Sequence, residues 1–266
     1  MIRDITLGQY YPGDSVIHRL DPRVKIIATL VYIVELFVVD SFFGFAVCAA
    51  GLALIVLLSR VPLGFIMRGL RPIILILVLT FCLNIFMMSG DVIFKIGPLK
   101  ATWEGLNQAV FMSIRLILLV IGSSLLTLTT TPIRLTDAIE RLLSPLKLVK
   151  VPVHDIAMMM SIALRFIPTL LEEADKIIKA QQARGADFES GNIIARARSL
   201  VPVLIPLFVS AFRIAQDLAL AMEARCYRGG VGRTQLHTMK LQALDFAAAV
   251  IVAAFLAVII VLRVLP

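Results

Sequence analysis

Two arginines close helix-forming stretches of nearly the same sequence. Shifted by 41 positions, Ala174, Ala180, Ala183 and Arg184 align with Ala215, Ala221, Ala224 and Arg225. A guanidinium group donates two parallel hydrogen bonds to one carboxylate, and the preceding alanine allows another backbone to approach closely. Each arginine could also simply complement the negative end of a helix dipole, with Gly185 as an ordinary C-cap. The repetition favours two docking tips for two similar partners, at residues 183–185 and 224–226.

Two ionisable residues interrupt apolar stretches of the sequence. Arg115 and Glu35 both lie where a membrane-crossing helix is expected, and a charge inside a bilayer is costly unless it is paired. We therefore predict an ion pair between Glu35 and Arg115 inside a helix bundle. The alternative is a mid-bundle substrate site near Arg115 in a stand-alone secondary transporter. Asp245, close to the start of the last apolar stretch, is expected to reach the lipid headgroups.

The motifs of common enzyme classes are absent from this sequence. No stretch has the G-x-x-x-x-G-K-[ST] pattern of a phosphate-binding loop, and neither H-E-x-x-H nor G-x-S-x-G occurs. The three histidines are scattered, and no two cysteines have metal-ligand spacing. We therefore expect no catalytic residues, no metal site and no cofactor.

The composition is typical of a membrane protein. Apolar residues make up 59% of the 266 residues, and charged residues only 17%. A spanning helix needs about 20 apolar residues. Five stretches approach this length: Val24–Val39, Phe42–Leu58, Pro72–Met88, Leu106–Leu128 and Leu241–Leu262. The first two form either two short spans or one re-entrant hairpin.

The loops predict an orientation for these spans. Lysine and arginine concentrate on the cytoplasmic side of membrane proteins. One side receives Arg3, Arg19, Arg23, Lys25, Arg60, Arg68 and Arg71, and the other receives Asp40, Asp91, Lys95, Lys100 and Glu104. The N-terminus is therefore predicted in the cytoplasm and the C-terminus outside. The net charge of +8 is read as this bias and not as a nucleic-acid-binding surface.

A long, partly polar stretch at residues 132–240 precedes the last span and is predicted to be cytoplasmic. Helical periodicity predicts helices over Ile133–Leu143, Val153–Ala183 and Leu200–Ala224. The third is apolar almost all round, so lipid or protein must cover it. The predicted organisation is 1–131 with four spans, 132–240 as the insert, and 241–266 as the last span.

Three further motifs join the arginine motifs in a fixed order. They are Tyr11-Pro12-Gly13-Asp14-Ser15, then His18-Arg19-Leu20-Asp21-Pro22-Arg23, then Arg165-Phe166-Ile167-Pro168. With Ala183-Arg184-Gly185 and the stretch from Ala224 to Gly230, they span most of the chain. In this order and around these spans, the sequence resembles the transmembrane (T) component of energy-coupling factor transporters, which are ABC-type vitamin and metal importers.

The resemblance implies a division of labour in a prokaryotic cell membrane. Two cytosolic ABC-type ATPases would hydrolyse ATP, and a separate membrane protein, the S component, would bind the substrate. This chain would join them as a non-catalytic scaffold, and the family's two Ala-Arg-Gly motifs correspond to residues 183–185 and 224–226. Cys226 departs from the motif's glycine, which puts the geometry of the second helix end in question. The S component is expected to contact an apolar surface comprising Leu204, Phe208, Phe212, Met158 and Met159.

Overall fold

A computed structural model describes residues 10–88, 90–96, 99–186, 188, 192–229 and 241–264. Arg3, predicted on the cytoplasmic side, and Gly230, the last residue of the second arginine motif's stretch, lie outside these residues. The described chain divides into two compact units. Residues 10–138 with 241–264 form the first, here the bundle unit. Residues 139–229 form the second, here the insert unit.

The bundle unit is a set of helices with one small hairpin. Its elements are α1 (Val16–Arg19), α2 (Pro22–Val38), α3 (Phe42–Ser59), α4 (Leu63–Leu70), a 3-10 turn (Arg71–Ile73), α5 (Ile74–Met87), the strands β1 (Val92–Ile96) and β2 (Leu99–Thr102), α6 (Trp103–Thr129) and α10 (Ala243–Val264). Helix α7 (Pro132–Leu142) leads into the insert unit. There a 3-10 segment (Ser144–Val149), α8 (Val153–Ala183) and α9 (Ile193–Ala224) follow.

The chain is an all-α membrane protein, as predicted. Six stretches within the described residues are long and apolar enough to cross a membrane: 42–59, 63–87, 103–129, 153–183, 198–224 and 243–264. Helix α2, with 17 residues, falls just short of that length. The six include α8 and α9, which the sequence places in the cytoplasmic insert. These two are the least apolar of the six, because charged residues line one face of α8 and interrupt α9.

Short polar side chains begin the bundle helices. Asp21 accepts a hydrogen bond from the backbone N–H of Arg23 at the start of α2, with Pro22 in the first helical position. Ser41 and Thr102 cap α3 and α6 in the same way. Each cap satisfies one of the backbone N–H groups that a helix start leaves without a partner. The break at Val39–Ser41 therefore separates α2 and α3 into two helices.

Contacts at helix ends fix the direction of three helices. At one end of the bundle, the backbone N–H of Asp21 donates to Asp245 Oδ1 at 2.7 Å. There, too, Lys25 Nζ donates to the carbonyl oxygen of Thr129 at 2.9 Å. At the other end, the Nη2 atom of Arg263 lies 3.4 Å from Oδ2 of Asp40. Helices α2 and α10 therefore run parallel to each other, and α6 runs antiparallel to both.

The core of the bundle lies between α2, α3, α6 and α10. The buried residues that form it are Leu36, Val39, Phe45, Cys48, Leu52, Leu118 and Ile259. Gly122 of α6 allows close packing there, because a Cβ at this position would lie 2.5 Å from the Tyr32 ring. The surface that faces away from this core stays apolar, as expected for helices surrounded by lipid.

Two helix starts differ from the sequence prediction. Helix α9 begins at Ile193 and not near Leu200, so Pro202 and Pro206 lie inside it. The third span is preceded by α4 and a 3-10 turn, so the helical stretch begins at Leu63 and not at Pro72. Proline removes one helical hydrogen bond but does not prevent the chain before it from being helical when tertiary contacts support it.

The expectation for Asp245 is wrong. Its side chain is 3% exposed and does not reach outward to headgroups. Its two carboxylate oxygens accept hydrogen bonds from the backbone N–H groups of Asp21 and Gln242, both at 2.7 Å. Asp245 thereby caps its own helix and fastens α10 to the start of α2.

Candidate docking site

The two long helices of the insert unit pair in opposite directions. Gln181, near the end of α8, donates to the carbonyl oxygen of Pro202 near the start of α9, at 3.2 Å. Ser210 Oγ donates to Glu173 Oε1 at 3.5 Å, two turns further along the pair. As residue numbers fall on α8 they rise on α9, so the helices are antiparallel here. Their C-terminal tips therefore point in opposite directions.

The first arginine motif ends α8 in a Schellman motif. The backbone N–H of Ala186 donates to the carbonyl of Gln181 at 3.0 Å, and that of Gly185 donates to Gln182 at 2.9 Å. Gly185 has φ +91, the left-handed conformation that this motif requires. The hydrogen bonds satisfy carbonyls that would otherwise lack partners at the helix end.

The second arginine motif ends α9 in the same geometry. The N–H of Tyr227 donates to Met222 at 3.0 Å, and that of Cys226 donates to Glu223 at 2.8 Å. Each of these contacts is the first motif's contact shifted by 41 residues. Cys226 takes the left-handed position with φ +55. The replacement of glycine by cysteine therefore leaves the cap geometry intact.

Both arginines are exposed at these tips. Arg184 and Arg225 each occupy the C-cap position between the alanine and the left-handed residue, and their side chains are open to solvent. Within the described residues neither side chain has a carboxylate within 4.0 Å. From Pro202, beside the end of α8, to Arg225, α9 would rise about 35 Å at ~1.5 Å per residue. The two tips therefore lie far apart, at opposite ends of the helix pair.

We predict that only one of two changes at the left-handed residues weakens binding. Cys226→Gly should leave partner binding at the second tip intact, because glycine adopts φ near +55 without the cost of about 1–2 kcal/mol that other residues incur. Gly185→Val should weaken binding at the first tip. Nothing lies within 4 Å of a Cβ at Gly185, so the loss would come from backbone strain and not from a clash. Circular dichroism would check that both variants stay helical. Equal binding by both variants in a pull-down would contradict the prediction.

A strip of apolar side chains runs along α9. Leu204, Phe208 and Phe212 follow one another at four-residue spacing, so they share one face, and they are 47%, 63% and 68% exposed. Met158 and Met159 lie on α8 instead, where Met159 is exposed and Met158 partly buried. The predicted contact surface is thus an α9 strip plus part of a second helix. Such an exposed apolar strip is typical of a surface covered by a partner or by lipid.

The predicted ion pair between Glu35 and Arg115 is not formed. Arg115 donates to the carbonyl oxygen of Val39 at 2.9 Å, where α2 ends. Its guanidinium carbon lies 5.3–5.6 Å from the ring centroids of Phe37, Phe45 and Phe111. Glu35 is 1% exposed, and its Oε1 makes no hydrogen bond to the described residues. A free carbonyl at a helix end and aromatic rings stabilise the guanidinium where the sequence suggested a carboxylate.

The N-terminal motif forms a buried polar network. His18 Nε2 donates to the carbonyl oxygen of Tyr11 at 3.0 Å, and its Nδ1 accepts from Ser15 Oγ at 2.7 Å. Lys25 Nζ also donates to Thr130 Oγ1 at 3.3 Å. Together with Asp21 and Asp245, these groups tie α1 and α2 to the end of α6 and the start of α10. The partners of His18 lie within the motif, but those of Lys25 and Asp21 lie more than 100 residues away and are not visible in the sequence.

No metal-binding cluster of three or more His, Cys, Asp or Glu side chains occurs among the described residues.

The chain is similar to known proteins over most of its length. A family model described as a cobalt transport protein matches residues 13–238. A protein from Thermosediminibacter oceani named energy-coupling factor transporter transmembrane protein EcfT is 60% identical over 247 residues, covering 93% of each chain. Proteins of the same name from Ruminiclostridium cellulolyticum and Bacillus subtilis are 55% and 50% identical, covering 99% and 90% of this chain and 98% and 91% of their own. The apolar helices, the arginine motifs and these relatives lead to one assignment: the chain belongs to the family of energy-coupling factor transporter transmembrane proteins.

Proposed function

We propose that this chain couples ATP hydrolysis by two cytosolic ABC-type ATPases to substrate uptake through a separate membrane-embedded S component. It is the non-catalytic scaffold of an importer for vitamins or metal ions. The observation that carries the proposal is the pair of exposed arginine tips with the same Schellman geometry. Two equivalent ends suit two partners of the same kind.

The direction of the insert helices supports a mechanical role. Each arginine ends a helix of more than 30 residues, 31 in α8 and 32 in α9. A helix transmits a displacement of its tip along its length because its backbone hydrogen bonds hold it rigid. Since the tips point in opposite directions, a movement of the two ATPases toward each other would act on the two helices from opposite ends.

The apolar strip on α9 is the proposed S-component contact. Leu204, Phe208 and Phe212 offer large apolar side chains on one face, and Met158 and Met159 would add a flexible surface on α8. A partner that is itself embedded in a bilayer presents apolar surface, which matches this strip. The substrate would then contact the S component and not this chain.

We predict that the N-terminus is cytoplasmic and the C-terminus is outside. Helix direction supports an odd number of crossings in the bundle unit, because α2 and α10 run parallel. The arginine-rich ends of α2 and α4 favour the cytoplasm. Reporter fusions after Pro266 and within the 90–104 loop should both report the outside, and a cytoplasmic signal at either would contradict this topology.

The rival function is a secondary transporter with a substrate site near Arg115. Such a site needs a water-accessible cavity at the midplane, commonly between broken helices of inverted repeats. Arg115 instead bonds to the Val39 carbonyl and lies among three aromatic rings. The repeat in this chain lies in the insert helices. These observations favour the scaffold.

Affinity purification tests the proposal. A tagged chain should bring down two ATPase subunits and one small membrane protein per copy. The chain purified away from these subunits should not hydrolyse ATP. A chain that purifies alone and transports substrate by itself after reconstitution would support the secondary transporter instead.

A further inference from the structure

Three arginines lie in a segment of the bundle unit that has no acidic residue. Arg60, Arg68 and Arg71 are the only charged residues of positions 41–90, and all three side chains are exposed. Within the described residues, none has a carboxylate within 4.0 Å. Arg68 lies over the Phe65 ring, with 5.0 Å between the guanidinium carbon and the ring centroid. We call residues 60–71 the arginine elbow.

Helix lengths place the arginine elbow at the edge of the hydrocarbon layer. Helix α5 has 14 residues, or about 21 Å, which is shorter than the roughly 30 Å of bilayer hydrocarbon. About 20 helical residues are needed, and counting back this number from Met87 reaches Arg68. Packing agrees, because Ile66 belongs to one buried cluster with Val61 and with Leu128 in the last turn of α6. Arg68 therefore lies at the level of the lipid phosphates, and Arg71, one turn further in, reaches that level with its long side chain.

Helix α4 has the two faces of an interfacial helix. Ile66 is 3% exposed and packs into the bundle with Val61 and Leu128. Leu63 and Met67 are 68% and 61% exposed on the outside. Apolar side chains of this kind insert between acyl chains, while neighbouring arginines stay at the headgroups.

The surface beside the arginine elbow points to lipid as its occupant. Leu57 at the end of α3 and Leu75 at the start of α5 are 78% and 79% exposed, so the elbow is continuous with the apolar surface of two membrane-crossing helices. A guanidinium binds phosphate oxygens through two parallel hydrogen bonds. No carboxylate of this segment competes for the three arginines.

We propose that Arg60, Arg68 and Arg71 bind the phosphate groups of anionic phospholipids, with Leu63 and Met67 between the acyl chains. This contact would anchor the end of the bundle at which α3 ends and α5 begins. An arginine near an anionic membrane surface contributes roughly five-fold in binding. The inference concerns lipid only and does not depend on the ATPases or the S component.

Spin-labelled lipids test this assignment. The full chain would be placed in phosphatidylcholine nanodiscs with either spin-labelled phosphatidylglycerol or spin-labelled phosphatidylcholine, and the immobilised fraction measured. The wild type should prefer phosphatidylglycerol, and added salt should reduce the preference. A triple variant, Arg60→Gln with Arg68→Gln and Arg71→Gln, should have a preference for phosphatidylglycerol that is at least about ten-fold lower. The matched control is Arg263→Gln, which removes an exposed arginine from the opposite end of the bundle and should change nothing.

Two further variants keep the test decisive. If the triple variant does not fold, Arg71→Gln alone should lower the preference roughly five-fold. Replacing all three by lysine should keep most of it, because the charge remains. An unchanged preference in the glutamine variants would overturn the proposal. A wild type without lipid preference would also overturn it. If the triple variant then failed to co-purify a protein subunit, the arginines would bind protein and not lipid.

Discussion

Replacing both Arg184 and Arg225 by glutamate should release both ATPases from the complex. Each arginine is exposed at a Schellman-capped helix end and has no carboxylate partner among the described residues. Removing one member of a buried charge pair at an interface costs about 2–5 kcal/mol, and reversing the charge adds repulsion. Loss at both tips would therefore reduce ATPase recovery in a pull-down below detection. Substrate uptake would be lost with it.

Single changes separate coupling from assembly. Arg184→Ala or Arg225→Ala should impair uptake more than ATPase recovery, because the other tip still holds one ATPase. Lys179→Glu is the matched control, since Lys179 is an exposed cation on α8 little more than a turn before Arg184. It should leave both measurements near wild type. A double glutamate variant that assembles and transports normally would reduce both motifs to ordinary helix ends.

Replacing Phe208 by aspartate should weaken S-component binding by at least about 30-fold. Phe208 is 63% exposed in the middle of the apolar strip on α9, with Leu204 and Phe212 one turn away on either side. A contact there would bury an unpaired carboxylate, and truncation of a central aromatic residue at an interface commonly costs 2 kcal/mol or more. ATPase recovery should persist, because both arginine tips are unchanged.

The control for the strip is Phe208→Leu, which keeps an apolar side chain of smaller volume. We expect it to bind the S component within a few-fold of wild type. Titration of purified S component against the chain in nanodiscs would measure both variants. Unchanged affinity of the aspartate variant would locate the contact elsewhere.

Much of the fold follows from local patterns in the sequence. Long apolar runs and caps such as Asp21-Pro22 and Ser41 determine where the helices lie, because backbone groups in a bilayer must be satisfied within the helix. Helix α8 has the predicted bounds, Val153–Ala183. The repeat around Arg184 and Arg225 also lies in the sequence itself, and the structure adds that both copies end in the same cap.

The remaining features depend on contacts between distant residues. Asp245 bonds to the backbone of Asp21, a pairing over 224 positions that no local pattern marks. The Glu35–Arg115 prediction failed for a similar reason, because spacing cannot show that the Val39 carbonyl is free at the end of α2. The left-handed Cys226 was also hard to foresee, since residues other than glycine rarely adopt this conformation.

Reconstitution tests the central claim most directly. Proteoliposomes would contain the two ATPases and the S component, with wild-type chain, with the Arg184→Glu/Arg225→Glu chain, or without it. ATP-dependent uptake of the S component's substrate would be measured in each. We expect uptake only with the wild-type chain, and background uptake with the double variant or without the chain. ATP-driven uptake by the ATPases and the S component without this chain would contradict it.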